Sequence, residues 1–206
     1  MVSYHRTRRS RSALAYGSRS TATAETTSTG SYTTSGDATD AEGRIVSETS
    51  APHTLIQSRP GWAEQDAEEW WQAVAGAVRA VPRLVRKRVA CITVTSQREG
   101  LVPVDGSGKP LAHCMVWLDR RSESELPSIE QKISDRELFL LTGLRLDSAF
   151  SLPRLLWLRR HQPDLIKRAA YLLQPADFLL AQLTGRFVSD LSFASRTALL
   201  DLKNRR

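Results

Sequence analysis

Residues 60–82, PGWAEQDAEEWWQAVAGAVRAVP, constrain the fold more than any other stretch of this chain. Trp70, Val74, Val78 and Val81 recur at helical spacing, so the segment has one apolar face to bury. Asp66 stands where a helix N-cap is needed, Glu69 three residues on can close a capping box, and Pro82 ends the run. The helix lies between two strand signals. Ahead of it a turn at Asp40–Gly43 leads into the alternating residues of RIVSET, which read as a hairpin. Behind it comes VACITVTS, residues 89–96, a short β-branched run that reads as a buried strand. A helix needing a cover and strands on either side point to an α/β domain.

The second half continues the mixture. LVPVDGSGKPLAHCMVW reads as a pair of strands around the turn Asp105–Gly108. ISDRELFLLTG carries a second capping box, Ser134 with Glu137, and Gly143 marks its stop. In SLPRLLWLRRHQPDLIKRAAYLL, Leu152, Leu155, Leu156 and Ile166 follow helical spacing and Pro163 opens a second helical piece. PADFLLAQLTG starts with Pro175 in a first-turn position and ends at Gly185.

Charge suggests nucleic acid until it is located. The chain carries a formal net charge of +7, but the excess sits at the ends. Arg6, Arg8, Arg9, Arg11 and Arg19 face Glu25 alone, and Lys203, Arg205 and Arg206 face Asp201. A phosphate-binding surface needs its cations clustered on the folded body, so no nucleic-acid partner is expected. Residues 1–35, rich in Arg, Ser and Thr without apolar periodicity, are expected to form a disordered leader with no targeting role. Residues 36–206 are expected to be the folded domain. Cys91 and Cys114 are too few for a disulfide framework and read as small buried hydrophobes. No ligand-spaced Cys/His cluster suggests a structural metal. No apolar run is long enough to span a membrane, and a cytoplasmic location is expected. GSGKP, residues 106–110, is not a phosphate loop, because Pro103 and Pro110 stand where such a loop needs Gly and Ser or Thr.

Chemistry enters through the order of several pieces. GWAEQDAEEWW is followed by TSQREG, then by MVWLDRRS, then by SLPRLLWLRRHQPD and by ADFLLAQLTGRFVSDLSFASRTALLDL. Together these resemble the amino-terminal domain of the FGGY family of carbohydrate kinases, from about Asp40 to the last residue. The matching positions are Gly61–Trp71; Gln97, Arg98 and Glu99; Trp117, Asp119 and Arg121; and Asp190, Ser192, Ala194 and Ser195. Arg154 stands where the family usually has Lys.

The resemblance implies a ribonuclease H-like α/β fold of the actin-like ATPase superfamily. It implies transfer of the ATP γ-phosphate to a sugar or polyol hydroxyl, with Mg2+. It also implies a substrate pocket in which Gln97 supports Arg98 and Glu99, Arg98 donating to hydroxyls and Glu99 accepting from them. Trp117 would supply an apolar wall, and Asp119 with Arg121 would make either hydroxyl contacts or a structural ion pair.

Departures from the family pattern matter as much. The phosphate turn falls at residues 28–33, where Gly30, Ser31 and Thr33 are the cofactor-binding candidates but Ser28 replaces the expected Asp. The family's polyol-binding Tyr falls near Ala149, which argues against glycerol. The general-base Asp and the nucleotide domain lie beyond Arg206 in the family. The 206-residue chain is therefore expected to be an incomplete kinase, inactive alone, with exposed interdomain surface favouring self-association. The alternative is a non-catalytic remnant that acts, if at all, as a binding module.

Overall fold

A computed structural model describes residues 14–19 and 32–205. Three strands, β1 (Leu14–Arg19), β2 (Tyr32–Thr39) and β3 (Ile45–His53), are joined by β5 (Val89–Thr95) in one sheet of order β3-β2-β1-β5. β1 runs antiparallel to β2 and parallel to β5. The expected hairpin is present: β2 and β3 pair antiparallel around residues 40–44. Asp40 Oδ1 accepts from the amides of Glu42 and Arg44 at 3.0 and 2.9 Å, and Gly43 takes φ 83° to complete the turn.

Three expectations change here. Leu14–Arg19 falls within the expected leader, yet it is a strand with partners on both edges. LAYGSR has no β-branched residue, so its pairing comes from lying between two strands and not from propensity. β2 also begins at Tyr32, so a domain boundary at residue 35 cuts through a strand. The rest of the leader lies outside the described residues. Finally, β5 is a strand but not a buried one: it is last in the strand order, Ala90–Thr93 are exposed, and Ile92 is 47% accessible. Cys91 is exposed with it. Composition predicts a strand without saying which place in the sheet it takes.

Helix α1 (Ala67–Ala80) follows the short strand β4 (Glu64–Gln65) and packs on β2 and β3. Trp70 and Val74 are buried, as the spacing requires, and Val81 packs with Ala38 and Ala77. Asp66 caps the helix by accepting from the Glu68 amide at 2.9 Å. The capping box does not form, because Glu69 Oε2 accepts from the Thr54 amide at 3.1 Å instead. That bond ties the helix start to the end of β3.

The remaining body is built on two small sheets. β4 pairs with β7 (Cys114–Met115), and β6 (Val102–Val104) pairs with β8 (Tyr171–Leu173). Segment 101–117 is thus not a simple hairpin. Its ends meet through the Leu101–Met115 bridge, while its strands pair with other elements. Short helices α2 (Arg83–Arg86) and α3 (Leu126–Glu130) link these layers. α4 (Asp135–Thr142) has the expected Ser134–Glu137 capping box, and Gly143 at φ 72° stops it. α5 (Ser151–His161), α6 (Pro163–Arg168) and α7 (Pro175–Thr184) start and stop close to their proline and glycine signals. A last turn of helix, α8 (Leu191–Ala194), is capped by Asp190. The main core joins Ala67, Trp70, Val102, Cys114, Val116 and Phe178, and seats α1 and α7 against the small sheets.

Candidate functional site

The triplet Gln97-Arg98-Glu99 begins two residues after β5 ends and leads into the Leu101–Met115 bridge. That bridge joins the segment after residues 97–99 to β7, and Trp117 follows two residues beyond β7. Gly100 permits the close approach: a Cβ there would stand 2.9 Å from both Cys114 Sγ and Pro175 Cγ.

Glu99 is the most constrained residue of the three. Its φ is 63°, a left-handed conformation that costs a residue with a Cβ about 1 kcal/mol. Three distant groups hold it there. Its amide donates to Gln174 Oε1 at 3.2 Å, and its carbonyl accepts from Arg154 Nη1. Its carboxylate Oε1 accepts from Arg196 Nε at 2.6 Å. Arg98 and Glu99, adjacent opposite charges, do not pair with each other: Arg98 is exposed and has no hydrogen-bond or ion-pair partner among the described residues. Neighbouring residues around a left-handed position point their side chains apart, which leaves Glu99 free to pair with Arg196. Gln97 ties the loop to β4 through a hydrogen bond from its Nε2 to Oε1 of the fully buried Gln65.

Trp117 lies two residues past β7 and is 42% accessible, so its indole is exposed. Asp119, expected to contact substrate, is engaged within the protein. It is fully buried, and its oxygens are taken by the Ala63 amide at 2.7 Å and by Arg121. Arg121 Nη2 also meets Glu64 Oε1 at 2.8 Å, and its guanidinium lies 3.4 Å from the centre of the Trp62 ring. Of the two readings left open for Asp119 and Arg121, the structural ion pair is the one present. It fastens the 116–121 segment to the GWAEQ stretch.

Arg154 and Arg196, which sequence reasoning did not place in the site, hold it together. Arg154 is fully buried on α5 and bridges the carbonyls of Glu99 and Met115, while its Nε and Nη2 have no partner. Burial pushes its guanidinium down to about 10. A charged residue on the helix face shared by Pro153, Trp157 and Leu158 was the available signal. For Arg196 the signal was its place within the FASRT motif.

Beside this loop, Leu101, Ser151, Gln174, Asp177, Ala194 and Thr197 are among the residues lining a cavity of about 180 Å³. Burial raises the Asp177 carboxyl to about 6, against a lowering hydrogen bond from Ser189. Of the phosphate-turn candidates, Gly30 and Ser31 lie outside the described residues, and Thr33 sits in β2 opposite Pro52. Among the described residues no group of three His, Cys, Asp or Glu is placed to hold a metal ion. No described helix is long and apolar enough to cross a membrane.

Xylulose kinase of Escherichia coli (strain K12) is 30% identical over 165 residues, covering 80% of this chain and 34% of the relative. Glycerol kinase of Nocardia farcinica is 35% identical over 176 residues, covering 81% and 35%. The chain thus spans about a third of the length of the curated relatives it matches. Among solved structures, glycerol kinase of Plasmodium falciparum with ADP superposes with a TM-score of 0.83 at 24% identity, covering 95% of this chain and 39% of that one. Gluconate kinase of Lactobacillus acidophilus gives 0.82 at 22%, covering 94% and 37%. These likenesses confirm the expected fold class. The model of the N-terminal domain of the FGGY family of carbohydrate kinases matches residues 29–206, and this chain belongs to that family.

Proposed function

We propose that this chain is the sugar-side portion of an ATP-dependent kinase that phosphorylates a hydroxyl of a sugar or polyol. Gln97, Arg98, Glu99 and Trp117 form its substrate pocket, and Asp119 belongs to the scaffold. The observation that carries this reading is Glu99. Its backbone is strained, and both its backbone polar groups and its carboxylate are held by separate elements. Strain maintained in this way points to a position set for use. Arg98, next to it in sequence, offers five donors on a free side chain, and Trp117 offers an exposed apolar face, a combination suited to alternating C–H and O–H groups of a carbon chain.

Family members use ATP and a divalent metal. The residues that would meet them in this chain, Gly30 and Ser31, lie outside the described residues. By itself the chain binds sugar without turning it over. The test is saturation-transfer NMR of the purified chain against pentuloses, hexuloses and polyols, followed by incubation with ATP and Mg2+. Binding that disappears in Arg98→Ala, with no phosphorylated product, supports the reading. Turnover by the chain alone contradicts its second half. Failure of every sugar to bind favours a non-catalytic remnant.

A further inference from the structure

A closed circuit of contacts links Glu99 to the segment after α8. The Glu99 amide donates to Gln174 Oε1 at 3.2 Å, and Gln174 Nε2 donates to the Phe193 carbonyl at 2.6 Å. The same carbonyl accepts from the Arg196 amide at 3.0 Å, and Arg196 Nε returns to Glu99 Oε1 at 2.6 Å. The Arg196 guanidinium carbon sits 5.0 Å from the centre of the Phe150 ring. Asp190 fixes the start of α8 by accepting from the Phe193 amide at 2.9 Å, so the whole turn is tied down.

We infer that Arg196 is a positioning residue for the substrate pocket, an inference that rests on the function proposed above. A single charge-assisted bond from Nε engages one carboxylate oxygen of Glu99. The other, Oε2, has no hydrogen-bond partner among the described residues and stays available to accept from a substrate hydroxyl. Phe150 limits the tilt of the guanidinium, and the bond therefore sets which oxygen faces outward and in what plane. Arg98, although adjacent in sequence, has no part in this orientation and is free to donate to substrate. A neutral polyhydroxylated chain needs fixed acceptors and donors of this kind, because each of its hydroxyls can rotate to satisfy either.

Isothermal titration of the 206-residue chain with D-xylulose, glycerol and D-gluconate tests the inference. Arg196→Met weakens binding of the sugar that the wild type prefers by tenfold or more, and Arg196→Lys restores part of the loss. In a Glu99→Gln background Arg196→Met adds no further loss, since the residue acts through the carboxylate; a merely structural contribution would add to it. Circular dichroism and the thermal midpoint are recorded for every variant, and Arg196→Gln replaces the Met variant if that protein does not fold. If Arg196→Met binds as the wild type does while Arg98→Ala binds weakly, the positioning role is wrong and the pocket stands. Additive losses in the double variant also overturn it. A wild-type chain that binds none of the three probes at millimolar concentration overturns both the pocket and the role.

Discussion

Glu99 Oε1 lies 2.6 Å from Arg196 Nε, joining the loop after β5 to the last turns of the chain. The bond is partly shielded, with the Glu99 side chain 12% and the Arg196 side chain 33% accessible. It helps hold a left-handed Glu in place. Replacing Glu99 by Ala removes the carboxylate and keeps the strained φ; replacing it by Gly removes both. Glu99→Gly is therefore expected to be at least as stable as Glu99→Ala in urea unfolding, the reverse of the usual order at an ordinary position.

Arg154 presents a different balance. It is fully buried, two of its nitrogens lack partners, and each buried donor left unmade costs about 1–3 kcal/mol. Lys reaches the same carbonyls with a smaller donor set. Arg154→Lys should match or exceed wild-type stability by up to about 1 kcal/mol. Arg154→Ala strands the Glu99 carbonyl, while the Met115 carbonyl keeps the Leu101 amide, and it leaves a cavity; it should cost about 3 kcal/mol or more. Thermal midpoints of the two variants decide the matter; equal losses would refute the account of Arg154.

Asp177 gives the protein a pH dependence. Its carboxyl is raised by burial to about 6 in the folded chain, against about 3.9 for an unfolded Asp. Between those values the folded state binds the extra proton, so the contribution of Asp177 to stability is complete at low pH and falls away as pH rises through about 6. Asp177→Asn should stabilise the protein at pH 7.5 by on the order of 2 kcal/mol, with the gain shrinking towards pH 4. Urea midpoints for both proteins across that range would show it, and a gain that is constant with pH would not fit.

The two thiols should differ in reactivity. Cys91 is exposed on β5, whereas Cys114 is fully buried and burial pushes its thiol up to about 12. Only the thiolate reacts at an appreciable rate. Iodoacetamide at pH 8 should label Cys91 in the native protein, and both cysteines only after denaturation. Native labelling of Cys114 at a comparable rate would contradict the packing around Gly100.

How much of this was legible beforehand differs from element to element. α1 could be read because four apolar side chains repeat on one face, and α4 because a complete capping box and a left-handed Gly bracket it. The cap of α1 was misjudged because the Thr54 amide competes for Glu69, a contact between elements that local spacing cannot show. β1 was invisible because LAYGSR has no β-branched residue and a Gly in its interior, and β5 was read as a strand but with the wrong burial. In the site, the motif order singled out residues 97–99 and 117 together. It could not show that Glu99 pairs with Arg196 and not with Arg98, because the left-handed conformation of Glu99 is held by Gln174, Arg154 and Arg196 from far along the chain. Asp119 looked like a ligand because an Asp two residues from an Arg has the same spacing in a pocket as in a buried pair.

The pocket itself is tested most directly by two-dimensional NMR of the isotopically labelled chain as D-xylulose is added. The account predicts saturable shifts concentrated at the amides of Gln97, Arg98 and Glu99, the Trp117 indole N–H and the Arg196 Nε–H. Shifts that avoid these groups, or that gather instead around the separate Glu125–Arg160 ion pair, would contradict it.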